Sequence, residues 1–339
     1  MRILVVSPAF FGYERAITEA FREQGHDAVF LDERPSNLPA VRAIVRAFPW
    51  VLRRKINRHY RRALAELGNE SFEGVVVIKG EVVPAWFLAE IVRLNPSARM
   101  VYYTFDSIKN SPQGQRILGY FHRKFSFDPA DVAAYPSFEL KPLFFPDDFR
   151  PGDAERDLDI SFVGTLHGDR YPFIQAVAAQ IPPERRKLYY YLPARWFFFL
   201  RKLSSRGLRG VSQREVSFTP LARSEVVRTA QRSRVVIDLQ REGQTGLTMR
   251  TFEVLATGAA IITANEAIRE QPFFSNERVL VVPRAPERVD TNIVSAFIAR
   301  QPDVGTAPPG FDEYSLSAWV ADFVTILAQS DGEPDANPR

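Results

Sequence analysis

The sequence of 339 residues contains no cysteine, which excludes disulfide bonds, thiolate nucleophiles and thiolate metal ligands. The only histidines are His26, His59, His122 and His167, and they have none of the spacings of zinc sites. No apolar run is long enough to span a bilayer, and the opening MRILVVSPAF is too short an apolar run for a signal peptide. We therefore expect a cytoplasmic protein without a metal site.

Two common nucleotide-site motifs are also missing. The loop 7–12, which follows the first predicted strand, lacks GxGxxG, so nothing there indicates a dinucleotide cofactor. The spacing Asp-x-Asp occurs at Asp157 and Asp159, but Asp159 lies within a predicted apolar strand and Asp157 in a predicted linker. We expect no cofactor, no metal-held diphosphate and no nucleic-acid partner.

The chain length predicts two domains, and 45% hydrophobic with 25% charged residues is typical of globular proteins. Short apolar strands alternate with amphipathic helices in both halves, which predicts an α/β protein of two Rossmann-like domains facing one another across a cleft. The predicted organisation is an N-terminal domain at 1–141, a proline- and acid-rich linker at 142–157, a second domain at 158–312, a C-terminal helix at 313–329 that packs back toward the first domain, and a disordered tail at 330–339.

The net charge is only +4, but the basic residues are clustered. Residues 41–62 carry eight Lys or Arg residues and no acid, and their apolar positions predict two amphipathic helices broken near Pro49. Residues 195–209 (RWFFFLRKLSSRGLR) are aromatic and basic, again without an acid. Both stretches fit contact with an anionic membrane surface. The first could instead contact a phosphate-rich ligand or nucleic acid, and the second could bind an acceptor. The alternative for each is a packed helix, with a solvated basic face in the first.

The segment 235–265 predicts a strand–loop–helix–strand unit, with strands at 235–239 and 259–263, Thr248 at the helix N-cap and Gly258 where the helix stops. Arg250 lies in the first helical turn, where the helix dipole disfavours a cation unless an anion shares the site. One hypothesis is that Arg250 and the free N–H groups hold a phosphate while Glu253 accepts hydrogen bonds from a sugar. The alternative is an Arg–Glu ion pair on a solvated helix face.

Other candidates follow strands of the predicted sheets. Gly164, Thr165, His167 and Arg170 form a strand-to-helix junction that could cradle a phosphate, although such glycines also serve turns alone. Glu81 and Asp106 follow two strands of the first domain, where ligands of parallel sheets bind. Either carboxylate could act as a general base, and Asp106 could instead cap a helix.

The stretch GQTGLTMRTFEVLATGAAIITAN resembles the C-terminal signature of bacterial proteins of capsular or surface polysaccharide biosynthesis, and more distantly the CgeB-like glycosyltransferases. The segments VVVIKGE, YYTFDSIKN, FSFDPADVAAY and DISFVGTLHGDRYPF are similar to other parts of the same family. The chain as a whole thus resembles a glycosyltransferase of the GT-B fold, which has two Rossmann-like domains and a nucleotide site in the second.

This resemblance implies transfer of a sugar from a nucleoside-diphosphate sugar to a glycan or lipid-linked acceptor, without a metal, at the cytoplasmic face of the membrane. It implies that Arg250 contacts the diphosphate and Glu253 the ribose. The donor site it implies comprises Gly164, Thr165, His167, Arg170, Gln244, Gly246, Thr248, Met249, Arg250, Thr251 and Glu253. If the reaction inverts the anomeric carbon, Asp106 is the first candidate for the base and Glu81 the second.

The sequence departs from one family pattern. Many retaining GT-B enzymes carry two glutamates separated by seven residues, but the position eight before Glu253 is Thr245. The pattern therefore gives no support for retention and does not establish inversion. Two other functions stay open at this point: a nucleotide-sugar epimerase, and a non-catalytic nucleotide-binding module.

Overall fold

The structure is a computed structural model that describes residues 1–38, 41, 48–68, 70–153 and 155–329. The chain forms two compact units: unit 1 comprises Met1–Pro146 and Tyr314–Arg339, and unit 2 comprises Asp147–Glu313. The predicted linker, 142–157, is divided between them, with 142–146 in unit 1 and the rest in unit 2. The tail predicted to be disordered, 330–339, lies outside the described residues.

Unit 1 contains a six-stranded parallel sheet in the order β2-β1-β3-β4-β5-β6. Its strands are β1 (Arg2–Ser7), β2 (Asp27–Asp32), β3 (Gly74–Ile78), β4 (Arg99–Tyr103), β5 (Arg123–Ser126) and β6 (Glu139–Leu140). Its helices are α1 (Tyr13–Glu23), α2 (Arg53–Leu67), α3 (Ala85–Leu94), α4 (Pro129–Ala134) and α10 (Leu316–Ala328). The apolar runs of β1 and β3 are completely buried, as expected of central parallel strands covered on both faces.

One strand of unit 1 was not predicted. This strand is β6, which pairs beside β5 with Phe125 opposite Glu139. A two-residue strand has no alternation from which it can be recognised.

The basic stretch 41–62 is described only in part, and most of the first of its two predicted helices lies outside the described residues. The second predicted helix is α2, which follows a short 3-10 turn at Pro49–Leu52. Ile56 and Tyr60 are buried, while Arg53 and Arg54 are exposed. This part of the stretch is therefore a packed helix with a solvated basic face.

Unit 2 contains a second six-stranded parallel sheet in the order β12-β11-β10-β7-β8-β9. Its strands are β7 (Leu158–Thr165), β8 (Arg186–Tyr191), β9 (Val216–Ser217), β10 (Ser233–Asp238), β11 (Ala260–Thr263) and β12 (Val279–Val281). Its helices are α5 (Arg170–Val177), α6 (Arg195–Ser204), α7 (Arg223–Gln231), α8 (Met249–Ala256) and α9 (Thr291–Ala299). Two parallel α/β units confirm the predicted fold class.

The strand orders fix where each sheet can hold a ligand. In unit 1 the chain moves from β1 to β2 on one side and then to β3 on the other, so the strand order reverses between β1 and β3. In unit 2 it moves from β7 to β8 and β9, and then to β10 on the other side of β7. In open parallel sheets, ligands bind beyond the carboxyl ends of the strands at this switch point. The site is therefore expected near Thr165 and Asp238 in unit 2, and near Lys79 in unit 1.

Within the described residues, no helix combines the length and the apolar character that a membrane-spanning segment requires.

Gly258 provides a test of how α8 ends. Its φ is +75°, and a Cβ atom there would lie 2.5 Å from the backbone of Gly305. We expect Gly258→Ala to lower the free energy of unfolding by about 1–2 kcal/mol for the left-handed backbone and about 1–3 kcal/mol more for the overlap. Gly310 is the control, since its φ is +73° and nothing lies within 4 Å of such a Cβ. Urea unfolding that gave equal losses for Gly258→Ala and Gly310→Ala would contradict the tight packing at Gly258.

Candidate functional site

The loop between β10 and α8 is organised by one buried carboxylate. Asp238 is the last residue of β10, and Thr248, the N-cap residue of α8, donates its hydroxyl to both Asp238 oxygens at 2.9 Å. Thr251 donates its hydroxyl to Asp238 Oδ2 at 2.5 Å. Thr248 therefore marks the start of the helix as predicted, but its hydroxyl binds Asp238 and makes no capping bond to the backbone.

The charges of Arg250 and Arg170 also act on the Asp238 carboxylate. Burial raises the pKa of Asp238, while the hydrogen bonds from Thr251 and Thr248 and the charges of Arg250 and Arg170 lower it. The balance leaves the pKa of Asp238 above its usual value. The carboxyl end of β10 thus combines a buried carboxylate with the nearby charges of two arginines.

Arg250 and Glu253 form the predicted pair, with Arg250 Nη1 3.1 Å from Glu253 Oε2. The pair does not lie on a solvated helix face, because the Glu253 side chain is only 3% exposed. The Arg250 side chain is 25% exposed, so a partly accessible arginine is paired with a buried carboxylate. This arrangement orients a cation in the first turn of α8, where a bound anion would also meet the helix dipole.

Arg170 bridges the switch point itself. Its Nη1 donates to the carbonyl of Thr165 at 3.0 Å and its Nη2 to the carbonyl of Leu239 at 2.6 Å, so it joins the ends of β7 and β10. Burial lowers the pKa of Arg170 to about 10, which leaves it protonated at neutral pH. The prediction that Arg170 adds charge to this junction therefore has a structural basis.

Arg284 is a further cation at this edge that the sequence analysis missed. It follows β12 and donates from Nε to Asp169 Oδ2 at 2.6 Å and from Nη2 to the carbonyl of Gln240 at 3.1 Å. Its position after a strand of the parallel sheet was the signal that could have identified it. Arg170, Arg250 and Arg284 thus all lie near the carboxyl ends of the strands of unit 2.

The remaining predicted donor residues fall into two groups. Gly164 and Thr165 end β7, and the carbonyl of His167 accepts a hydrogen bond from the Arg170 N–H. In the loop before α8, Gln244 donates to the carbonyl of Gly246 at 3.0 Å. Met249 is half-buried at the first position of α8.

Asn265, which was not among the predicted site residues, stabilises the same loop. It follows β11, and its Nδ2 donates to the carbonyl of Thr245 at 3.1 Å. Its own side-chain oxygen caps the short turn that follows, by accepting from the N–H of Ala267. Asn265 therefore links the end of β11 to the loop between β10 and α8.

In unit 1, both predicted base candidates lie around Lys79. This residue follows β3 with a φ of +74°, which is rare for a residue other than glycine. Lys79 Nζ is 2.8 Å from Asp106 Oδ2 and 4.0 Å from Glu81 Oε2. Asp106 is 24% exposed and Glu81 only 3%. Of the two candidates, only Asp106 has appreciable contact with solvent.

A buried cluster behind Lys79 was not predicted at all. Arg34 donates from Nη2 to Glu81 Oε2 at 2.8 Å, and Glu33 accepts from the backbone N–H of Glu81 at 3.1 Å. Among the described residues, Arg34 Nε and Nη1 and Glu33 Oε1 have no hydrogen-bond partner. Burial raises the pKa of Glu33 to about 8, although the charges of Arg34 and Lys79 oppose this. Glu33 therefore holds a proton at neutral pH.

No group of three or more His, Asp or Glu side chains that could hold a metal ion occurs in the described part of the chain. The cations at the carboxyl edge of unit 2 include Arg170, Arg250 and Arg284, and the carboxylates of Asp238, Glu253 and Asp169 lie beside them. An anionic ligand there would be bound by guanidinium groups and backbone N–H groups of the α8 N-terminus.

Glu33 predicts a pH dependence of stability. Its pKa is raised from 4.5 to about 8 in the folded chain, so between these values the folded state binds a proton that the unfolded state has lost. The free energy of unfolding therefore falls as pH rises through this window. We expect Glu33→Gln to gain stability relative to the wild type as pH rises, measured by urea unfolding from about pH 5 to about pH 8.5. Glu19→Gln, at an exposed glutamate of α1, is the control. Parallel pH profiles for the wild type and Glu33→Gln would contradict the assignment.

Residues 194–302, about a third of the chain and entirely within unit 2, match a family model described as glycosyl transferase-like. This match includes α8, Arg250, Asn265 and Arg284, and it excludes β7 and all of unit 1. No curated protein matches the chain.

Several solved structures are similar over nearly the whole chain. Sucrose-phosphate synthase from Thermosynechococcus elongatus is 12% identical, with 96% of this chain and 98% of that chain covered and a TM-score of 0.63. HepE from Anabaena, in complex with UDP and glucose, is 12% identical, with coverage of 97% and 99% and a TM-score of 0.64. MnaA from S. aureus, in a co-structure with UDP, is 9% identical, with coverage of 99% of both chains and a TM-score of 0.57.

At these identities the structural likeness establishes the fold, and the match of residues 194–302 establishes a glycosyl transferase-like domain in unit 2. Together they bear out the predicted GT-B fold and give unit 2 its likeness to the glycosyl transferase family over residues 194–302.

Proposed function

We propose that the chain transfers a sugar from a nucleoside-diphosphate sugar, and that the donor diphosphate binds at the switch point of unit 2. The observation that carries this proposal is the cluster of Arg170, Arg250 and Arg284 around the carboxyl ends of β7, β10 and β12, beside the N-terminus of α8. A diphosphate is the anion that such an edge is suited to bind. The HepE and MnaA structures contain UDP, so uridine nucleotides are the first donors to test.

The roles within this site follow from the contacts of each residue. Arg250 would bind the diphosphate through the exposed part of its guanidinium, while Glu253 would keep that guanidinium oriented and accept a hydrogen bond from the ribose. Thr248 and Thr251 would act through Asp238, because their hydroxyls are already bonded to it. Gly164, Thr165, His167, Gln244, Gly246 and Met249 would contribute backbone and shape around the donor.

The chemistry proposed is displacement at the anomeric carbon. The acceptor hydroxyl attacks that carbon, the bond to the diphosphate breaks, and the hydroxyl proton goes to a base. The charge that develops on the diphosphate would be stabilised by arginine and by the α8 N-terminus, which act as fixed positive charges aimed at the leaving group. No cofactor is needed for this step.

We assign the base to Asp106. Its neighbour Lys79, at 2.8 Å, stabilises the ionised carboxylate that a base requires. Glu81 is the weaker candidate, because it is buried and paired with Arg34. Lys79 is held in its left-handed conformation, and its carbonyl accepts a hydrogen bond from the Tyr102 hydroxyl at 2.7 Å, so Asp106 has a fixed partner.

We further propose that the acceptor is a glycan or a lipid-linked saccharide and that the protein works in cell-surface polysaccharide biosynthesis at the inner face of the membrane. This assignment is supported by the resemblance of residues 243–265 to proteins of that process and by the basic, aromatic character of residues 195–209.

Arg250→Ala tests the donor site. We expect UDP binding, measured by calorimetry, to weaken by roughly 1.5–3 kcal/mol, the range for lost charge-assisted hydrogen bonds. Arg250→Lys keeps the charge but loses the planar fork and should give a smaller loss. The matched control is Arg269→Ala, because Arg269 forms the same type of i,i+3 pair, with Glu266, on the surface of unit 2. Unchanged affinity in a folded Arg250→Ala protein would remove Arg250 from the site.

Asp106→Asn tests the base. We expect the rate of UDP release from UDP-sugars, in the presence of a glycolipid extract as acceptor, to fall by a factor of about 100 or more, with UDP affinity nearly unchanged. Asp322→Asn is the matched control, since Asp322 also pairs with a lysine of unit 1, Lys141, at 2.7 Å. Full activity in Asp106→Asn would show that another group accepts the proton.

A further inference from the structure

The region around α6 is unusual in charge. From Arg185 to Arg214 the sequence has nine Lys or Arg residues and no Asp or Glu. The middle of this region is α6, whose sequence RWFFFLRKLS combines large apolar side chains with three cations. A 30-residue segment with this composition carries a local positive charge far denser than the +4 of the whole chain.

One face of α6 is apolar and exposed. Trp196, Phe199, Leu200 and Leu203 follow the spacing i, i+3, i+4, i+7, and they are 63%, 54%, 54% and 81% exposed. On another face, Phe198 is 1% exposed and packs into the core of unit 2. The helix is therefore anchored by Phe198, and its apolar stripe (Trp196, Phe199, Leu200, Leu203) faces solvent. Contiguous exposed apolar stripes usually mark an interaction site.

Cations flank the apolar stripe and are not neutralised. Arg195, Arg201 and Lys202 lie over the rings of Phe218, Phe197 and Phe198, at 5.9, 5.1 and 5.7 Å from the ring centroids. Within the described residues, none of the three forms an ion pair with a carboxylate. Lys202 also donates to the carbonyl of Val211 at 2.9 Å, which leaves its charge without a carboxylate partner. An apolar stripe bordered by such cations is complementary to an interface that is apolar inside and anionic at its surface.

The position of α6 relates the stripe to the donor site. β7 and β8 pair so that Thr165 lies opposite Tyr191, and α6 begins four residues after Tyr191. The turn after α6 packs against the loop that follows β7, since a Cβ atom on Gly207 would lie 2.2 Å from the carbonyl of Gly168. Helix α6 therefore lies beyond the same carboxyl edge of the sheet as Arg170.

We propose that α6 docks unit 2 on an anionic lipid surface. The apolar stripe inserts at the level of the lipid headgroups, and the flanking cations contact lipid phosphates. An aromatic residue such as Trp196 is suited to the membrane interface, because its ring is apolar and its N–H is polar. The docking brings the carboxyl edge of the unit 2 sheet to the membrane. If the proposed function holds, a lipid-linked acceptor would meet the donor there.

The test is co-sedimentation of the full-length protein with vesicles. We expect binding to vesicles of phosphatidylcholine mixed with phosphatidylglycerol, much weaker binding to phosphatidylcholine alone, and a loss of binding as salt is raised. The double variant Trp196→Ser/Leu203→Glu should lower the bound fraction by a factor of about 10 or more. The matched control is Ile293→Ser, because Ile293 is a 54% exposed apolar residue of α9 outside the stripe.

Vesicle binding that is equal in the wild type and the double variant would overturn the proposal, and so would an absence of binding to anionic vesicles. A concentration-dependent dimer that the double variant abolishes, without vesicle binding, would show that a second copy covers the stripe. Calorimetry with UDP in the absence of vesicles separates this proposal from the proposed function. Normal UDP binding by a protein that does not bind vesicles would overturn the docking proposal and leave the proposed function standing.

Discussion

The second unit depends on the compensation of one buried charge. Asp238 ends β10 inside the fold, and burial alone would make its ionised form unfavourable. The hydroxyls of Thr248 and Thr251 and the nearby charges of Arg250 and Arg170 offset part of this cost, and the pKa of Asp238 stays above its usual value. The same contacts fix where α8 begins. The arginines are held at this edge by other partners: Arg170 and Arg284 by backbone carbonyls and Arg250 by Glu253.

The buried charged side chains are arranged differently in the two units. In unit 2 three arginines lie at the edge of the sheet, beside the N-terminus of α8, and the carboxylates of Asp238, Glu253 and Asp169 lie next to them. In unit 1 the ion pair of Arg34 with Glu81 is buried beside the protonated Glu33, whereas Asp106 is 24% exposed and pairs with Lys79. This contrast supports the assignment of anion binding to unit 2 and of proton transfer to unit 1.

Local signals in the sequence predicted much of this arrangement. The N-cap at Thr248, the glycine after α8 and the apolar strands were predictable because each depends on neighbouring residues. The partners of the functional side chains were not, since Thr251 binds a residue 13 positions earlier and Arg34 binds one 47 positions later. The ion pair of Arg250 with Glu253 was predictable from spacing, but its burial was not, because burial depends on what packs over the helix.

The central claim is that a nucleoside diphosphate binds at the start of α8. Hydrogen exchange of the full-length protein, measured with and without UDP, GDP, CDP and ADP, tests it directly because the method locates the bound region. The account predicts that one nucleotide class slows exchange in 240–253 and in 164–170, while the strands of unit 1 are unaffected. Protection confined to other regions, or no protection with any of the four nucleotides, would contradict it.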